Sequence, residues 1–289
     1  MTEVTKNILL KMQQNEITEY YVYSKIAKNM KESKNKEILL KIANEEKTHF
    51  EIWKRLTGQE KKPNKFKIFF FTTISRLFGF TFALKLMEKG EDNASEKYSK
   101  LEQEVPEAKK IAEDEERHEK ELLQLLDEER LQYVGSMVLG LSDALVELTG
   151  TLAGLTFALQ NNKLVALSGL ITGIAATLSM TSSEFLSART EGHPNPLKSS
   201  LYTGGVYLFT VICLILPYLL CPKDAFVQAL AIMIGIVIVI IFAFTYYISV
   251  AKDLSFKKRF TEMAGISLSV AALSFIIGLL VKHFLGVDI

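Results

Sequence analysis

Two stretches decide the reading of this chain: NEEKTHFEIW at residues 44–53 and EDEERHEKEL at residues 113–122. Each holds a glutamate with a histidine three positions on: Glu46 and His49 in the first, Glu115 and His118 in the second. Both lie in charged runs that favour helix. Residues three apart share a helix face, so each stretch offers a carboxylate and an imidazole to one point. Two such pairs, with one carboxylate from each of two further helices, build a di-metal site inside a four-helix bundle. A single spacing of this kind usually marks a solvated face; its repetition is what points to a metal.

The further carboxylates are found by working outward. Over 4–31, Ile8, Leu9, Met12, Ile17, Tyr20, Tyr23 and Ile26 recur at three- and four-residue steps, the pattern of an amphipathic helix. Glu16 falls among these apolar positions, seven residues before Tyr23. A second helix is expected over 34–57, closing at Gly58 with Pro63 beyond. Its inner stripe contains Glu46, His49 and Trp53. A third, over about 82–103, carries Glu88 and Glu91. Either can be the ligand, and Glu91 is preferred because its step to Tyr98 repeats that from Glu16 to Tyr23. Pro106 opens a fourth helix, over about 106–129. The order is Glu, E-x-x-H, a long connection, Glu, E-x-x-H, an internal duplication of a helix pair.

The connection at 66–87, FKIFFFTTISRLFGFTFALKLM, is nearly as long and apolar as a membrane span, although Lys67, Arg76 and Lys85 interrupt it. A crossing there would put a bilayer between the two E-x-x-H pairs. The expectation is a helix with room for a break near Gly79, lying along a membrane surface or packed on the bundle. Its aromatic and basic residues suit an interface.

The 289 residues allow about two domains, and the composition divides near residue 130. Residues 1–130 are dense in Lys and Glu; residues 131–289 are mostly apolar. A net charge of +1 leaves no nucleic-acid footprint. Cys213 and Cys221 have no metal-ligand spacing and read as packing residues. The N-terminus lacks the apolar core of a secretory signal, so the first half is expected to stay in the cytoplasm. Five apolar segments follow, at about 133–159, 164–188, 201–221, 225–250 and 263–285, each long enough to span. The expected fold class is therefore all-α: a four-helix bundle, then a five-helix transmembrane domain. Arg189, Lys198, Lys252, Lys257, Lys258 and Arg259 crowd the loops after the second and fourth spans. The positive-inside rule then keeps the N-terminal domain cytoplasmic and the C-terminus outside, in the cell membrane.

Within the spans, Asp143 and Glu147 sit four apart on one helix face, and Glu184 sits late in the second span. Intramembrane carboxylates are costly and usually line a polar pathway. Gly140, Gly150, Gly154, Gly169 and Gly173 allow close helix packing. Met180 adds a polarisable thioether.

Residues 4–128 resemble the ferritin-like superfamily, rubrerythrins in particular. The resemblance implies a di-iron centre. Glu46 and Glu115 would bridge the metals, Glu16 and Glu91 would be terminal or partly bridging, and His49 and His118 would each bind one iron. Such donors suit Fe(II), Mn(II) and Zn(II) alike. The cysteine-rich iron domain that rubrerythrins typically add has no counterpart in these residues.

The segments GLSD at 140–143 and LSMTSSEFLSARTE at 178–191 resemble the vacuolar iron transporter family, with the likeness running over about 131–286. It implies that Asp143 and Met180 line a metal path at a dimer interface, with Fe(II) exchanged against protons. Plant and fungal-type members carry further acids where this chain has Ser136 and Thr172, so Glu147 and Glu184 are the candidate substitutes. Those members also insert a Glu-rich metal-binding domain where this chain has a short loop, about 189–199. The joined arrangement resembles the membrane-bound ferritin type of prokaryotic iron exporter. The expected function is a homodimeric exporter of Fe2+ or Mn2+ whose N-terminal domain captures or oxidises the metal. The rival is a membrane-anchored ferroxidase or peroxide-consuming di-iron enzyme. A third reading makes the N-terminal domain a sensor that gates transport.

Overall fold

The computed structural model describes residues 2–30, 33–88, 101, 104–124 and 133–285. Among them are ten helices and no strand. The chain divides into two units, Met1–Leu131 and Gln132–Ile289.

The first unit holds α1 (Glu3–Asn29), α2 (Lys34–Thr57), α3 (Lys65–Phe78), α4 (Phe80–Glu88) and α5 (Glu107–Gln124). Side-chain caps set the starts: the Thr2 hydroxyl accepts from Thr5 N, and the Ser33 hydroxyl accepts from Lys36 N. Each satisfies a helix-end N–H that has no intrahelical partner. Gly58, at φ 66°, ends α2 in the left-handed region. The stretch at 66–87 breaks at Gly79, where the sequence left room for a break; its φ of 98° no helix continues through. The third expected helix begins with α4, but residues 89–100 lie outside the described residues, and Glu91 and Tyr98 with them. Glu88 ends α4.

Two apolar clusters hold this unit. One joins Val22, Tyr23 and Ile26 of α1, Leu39 and Ile42 of α2, Ile68 of α3, Leu84 and Met87 of α4, and Leu122 of α5. The other joins Leu9 and Met12 of α1, Trp53 of α2, and Ala108 and Ile111 of α5, with Leu101 and Val105. The residue order shows that α2 runs against both α1 and α5. It also leaves a layer between the clusters at Glu16, Glu46, His49 and His118.

The second unit holds α6 (Val134–Leu159), α7 (Asn162–Thr190), α8 (Pro196–Leu220), α9 (Phe226–Ala251) and α10 (Phe256–Leu285). All five are long and apolar enough to cross a membrane, and the chain is a multi-pass membrane protein. The helix bearing Asp143 and Glu147, α6, packs against each of the other four. Its Leu141, Leu145, Leu148 and Leu152 meet Val211 and Leu214 of α8 and Met233 and Val237 of α9. Large apolar side chains also point outward, such as Ile171 and Leu178 of α7, Phe209 of α8 and Ile277 of α10. A bilayer leaves that face no reason to be polar.

Small residues set the α6–α10 distance. A Cβ on Gly278 would lie 2.6 Å from the Gly154 carbonyl oxygen, and backbone cannot give way. Gly278→Val is therefore expected to lower the melting temperature in detergent, through overpacking of about 1–3 kcal/mol. Gly235→Val, which would meet nothing within 4 Å, should leave it unchanged. Equal melting of the two in scanning calorimetry would contradict this packing.

Candidate metal centre

The two E-x-x-H pairs face each other across the layer between the clusters. Glu16 of α1, Glu46 and His49 of α2, and His118 of α5 are all buried, Glu46 to 1 % exposure and His118 to 2 %. Glu115 of α5 is partly exposed. One donor atom each from Glu16, Glu46, His49 and Glu115 lies within 4.8 Å of the others. Metal–ligand bonds of about 2.0–2.2 Å bring opposed donors to about that separation, so the group is sized to hold a metal.

The distances show how the pairs cross. His49 Nδ1 lies 3.2 Å from Glu115 Oε1 and 3.5 Å from both Glu16 Oε2 and Glu46 Oε2. His118 Nδ1 lies 3.0 Å from Glu46 Oε1 and 3.9 Å from Glu115 Oε2. Glu46 and Glu115 thus each turn one oxygen toward each histidine. The imidazoles stack at 5.7 Å between centroids. Glu16 Oε2, Glu46 Oε2 and His49 Nδ1 are buried with no hydrogen-bond partner. Such atoms call for an explanation in a folded protein, and a cation among them supplies one. The residues present fit a metal.

The outer nitrogens are held by residues that the motif does not contain. Glu45 Oε2 accepts from His118 Nε2 at 2.6 Å, and Asp114 Oδ2 accepts from His49 Nε2 at 3.5 Å. Arg117 donates to both acids, at 3.0 Å to Glu45 and 2.6 Å to Asp114. Each outer acid precedes a motif glutamate by one residue. Because α2 and α5 are antiparallel, each reaches the histidine of the opposite helix. Outer acceptors of this kind fix the tautomer and the ring orientation, so Nδ1 is turned inward. Trp53 adds a further contact, its Nε1–H donating to Glu16 Oε1 at 3.0 Å. Tyr23, spaced from Glu16 in the sequence pattern, is buried in the first apolar cluster. A cavity of about 630 Å³ reaches His49 from between α2 and α5, with Glu45, Asp114 and Arg117 in its lining.

Burial makes this charge density expensive, and protons respond to it. Burial raises the Glu16 carboxyl to about 8, with the nearby His49 ring lowering it and the Glu46 charge adding to the rise. Burial, then the Glu16 charge, raises Glu115 to about 7. For His49 burial works against the charged ring, but Glu115, Glu16 and Glu46 outweigh it and push the group up to about 12. His118 rises also, against burial, chiefly through Glu46. Without metal, the cluster holds protons where a cation would sit.

Of the other residues singled out in the sequence, Glu91 lies outside the described residues, and the Glu88 side chain is not described. In the membrane unit Asp143 is half-buried on α6, and Glu147, one turn on, accepts from the Tyr207 hydroxyl of α8 at 2.8 Å. Glu184 of α7 accepts from Ser136 of α6 at 2.9 Å and from Ser199 of α8. Met180 is partly buried against the membrane core. Among the described residues these groups do not close into a three-donor cluster like the one in the first unit.

Sequence comparison adds one finding. Residues 134–193 match the model of the VIT family. With the five apolar helices, that match supports a vacuolar iron transporter-type membrane domain and points to a membrane transporter of divalent metal. The matched stretch covers α6, α7 and the turn after them, and so includes Asp143, Glu147, Met180 and Glu184. No curated protein and no solved structure matches the chain.

The proton-loaded cluster makes a pH prediction. The folded state keeps protons on Glu16, Glu115 and His49 at pH values where the unfolded chain, with ordinary values of 4.5 and 6.5, has released them. Unfolding then releases protons, so metal-free stability falls as pH rises from about 5 to 8. Melting followed through Trp53, the chain's one tryptophan, should show that fall. A divalent metal, which replaces those protons, should reverse it at pH 8. A pH-independent melt would contradict the assignment of buried charge.

Proposed function

We propose that this protein carries a divalent metal, Fe2+ or Mn2+, out of the cytosol across the cell membrane, and that its N-terminal helices collect the metal first. The observation that carries the reading is a buried, crossed set of carboxylates and imidazoles on the same chain as VIT-type spans. Glu16, Glu46, His49, Glu115 and His118 would hold metal, with Glu91 or Glu88 as the remaining carboxylate. Glu46 and Glu115, each facing both histidines, would hold metal together with either imidazole. Bound iron would supply Fe(II)/Fe(III) chemistry; Mn2+ or Zn2+ fits the same donors. The chain's own part is to orient both imidazoles through Glu45 and Asp114, and to seat the donors between two apolar layers.

In the spans, Asp143 and Met180 are the proposed path, with Glu147 and Glu184 beside it. Glu184 reaches to Ser136, the position where the sequence lacks an expected acid. This supports Glu184 as its replacement from the neighbouring helix. Protons are the proposed counter-ion and a homodimer the proposed assembly. The cations in the loops after α7 and α9 support a cytoplasmic N-terminal domain.

A second reading, a membrane-anchored ferroxidase, is favoured by the three carboxylates and two imidazoles of the cluster. Oxidation of Fe(II) by purified protein in stopped flow, with no metal flux in vesicles, would establish it instead.

The test is metal entry into proteoliposomes loaded with a metal-sensitive dye. Asp143→Ala should abolish flux and leave the metal response of Trp53 intact; undiminished flux would sink the pathway. Arg117→Met should weaken metal binding read by Trp53 severalfold, less than the roughly 10- to 100-fold cost of losing a partner bonded to the imidazole itself. Unchanged affinity would remove Arg117 from the site.

A further inference from the structure

We infer that α3 is a docking surface for an anionic bilayer, seated in the interface rather than across it. The helix has 14 residues, too few to span. Its inner face is accounted for: Ile68 is buried in the first apolar cluster, and Phe71 and Ile74 pack against it. The loop before it is tied to α1. Lys61 N donates to Gln13 Oε1, Asn64 N donates to the Thr18 hydroxyl, and the Lys62 carbonyl accepts from Gln14. The outer face is therefore presented in a fixed orientation.

That outer face is apolar apart from Thr73. Phe66 and Phe69 are 74 % and 69 % exposed, and Phe70 41 %. At about 100° per residue, Phe66, Phe69, Phe70 and Leu77 share an arc of about 100°. Lys67 flanks the arc on one side, and Lys65 and Arg76 flank it on the other. An apolar stripe bordered by cations is the form of a helix that lies in a membrane interface, rings among the acyl chains and cations at the headgroups.

Charge selects the occupant. From Lys61 to Met87 the sequence has no Asp or Glu, although the rest of the first unit is rich in both. Two copies seated ridge to ridge would set cations against cations with no acid in the segment to pair them. Anionic headgroups neutralise them, and the five apolar helices put a bilayer on the same chain.

The test uses the full chain with Cys213→Ser and Cys221→Ser, carrying one nitroxide at Phe69→Cys or, as an aqueous control, at the exposed Lys11→Cys. Unchanged Trp53 emission checks each variant's fold. In phosphatidylcholine–phosphatidylglycerol vesicles, the label at 69 should contact oxygen severalfold more than a nickel chelate, and the label at 11 the reverse. The preference at 69 should shrink in pure phosphatidylcholine, and again when Lys65→Glu and Lys67→Glu are added. Equal nickel contact at 69 and 11 would overturn the proposal. So would a label at 69 shielded from both reagents and broadened by a second nitroxide, the mark of a second copy. Equal insertion in both lipids would overturn the anionic requirement.

Discussion

Like charges forced together at a largely buried site govern the first unit. Glu16, Glu46 and Glu115 point into one volume. At effective dielectrics appropriate to protein sites, two unit charges about 4 Å apart repel by about 4 kcal/mol. Neutral carboxylates, charged imidazoles or a metal must answer that repulsion. The rest of the unit holds the groups in place while one of them does. Apolar clusters lie above and below the layer, and Arg117 ties the outer acids of both helices together. Removing either imidazole would leave uncompensated buried acid, which costs more than the lost contact alone.

The membrane unit meets the same problem differently. Its acids lie along α6 and α7, and two of the three are matched to hydroxyls: Glu147 to Tyr207, and Glu184 to Ser136 and Ser199. A storage or reaction site gains from donors that converge and hold. A path gains from donors that are separate and weak enough to release the ion. The contrast between a closed cluster in one unit and dispersed acids in the other fits a division between collecting metal and moving it.

Much of this was legible in the sequence because it rests on local periodicity. A three-residue step puts Glu46 beside His49 and Glu115 beside His118 in any helix. Uninterrupted apolar length likewise marks the five spans. What the sequence hid depends on which helix faces which. Glu45, Asp114 and Arg117 look like ordinary solvated charges until α2 and α5 are set antiparallel and their side chains cross. A doubled acid before each E-x-x-H was the one available signal. Trp53 lay on the inner stripe as an apolar residue, and only the fold turns its N–H toward Glu16. The contact of Glu184 with Ser136 spans two helices and has no local signature. Gly79 shows the opposite case: its position in an otherwise apolar run marked the break that separates α3 from α4.

If the two E-x-x-H pairs bind metal through both imidazoles, X-ray absorption at the metal edge will show it on the full chain loaded with Mn2+ or Fe2+. The spectrum should carry the outer-shell scattering of coordinated imidazole, lost when His49→Ala and His118→Ala are combined. A spectrum of oxygen ligands alone, unchanged by that double substitution, would contradict binding through the imidazoles.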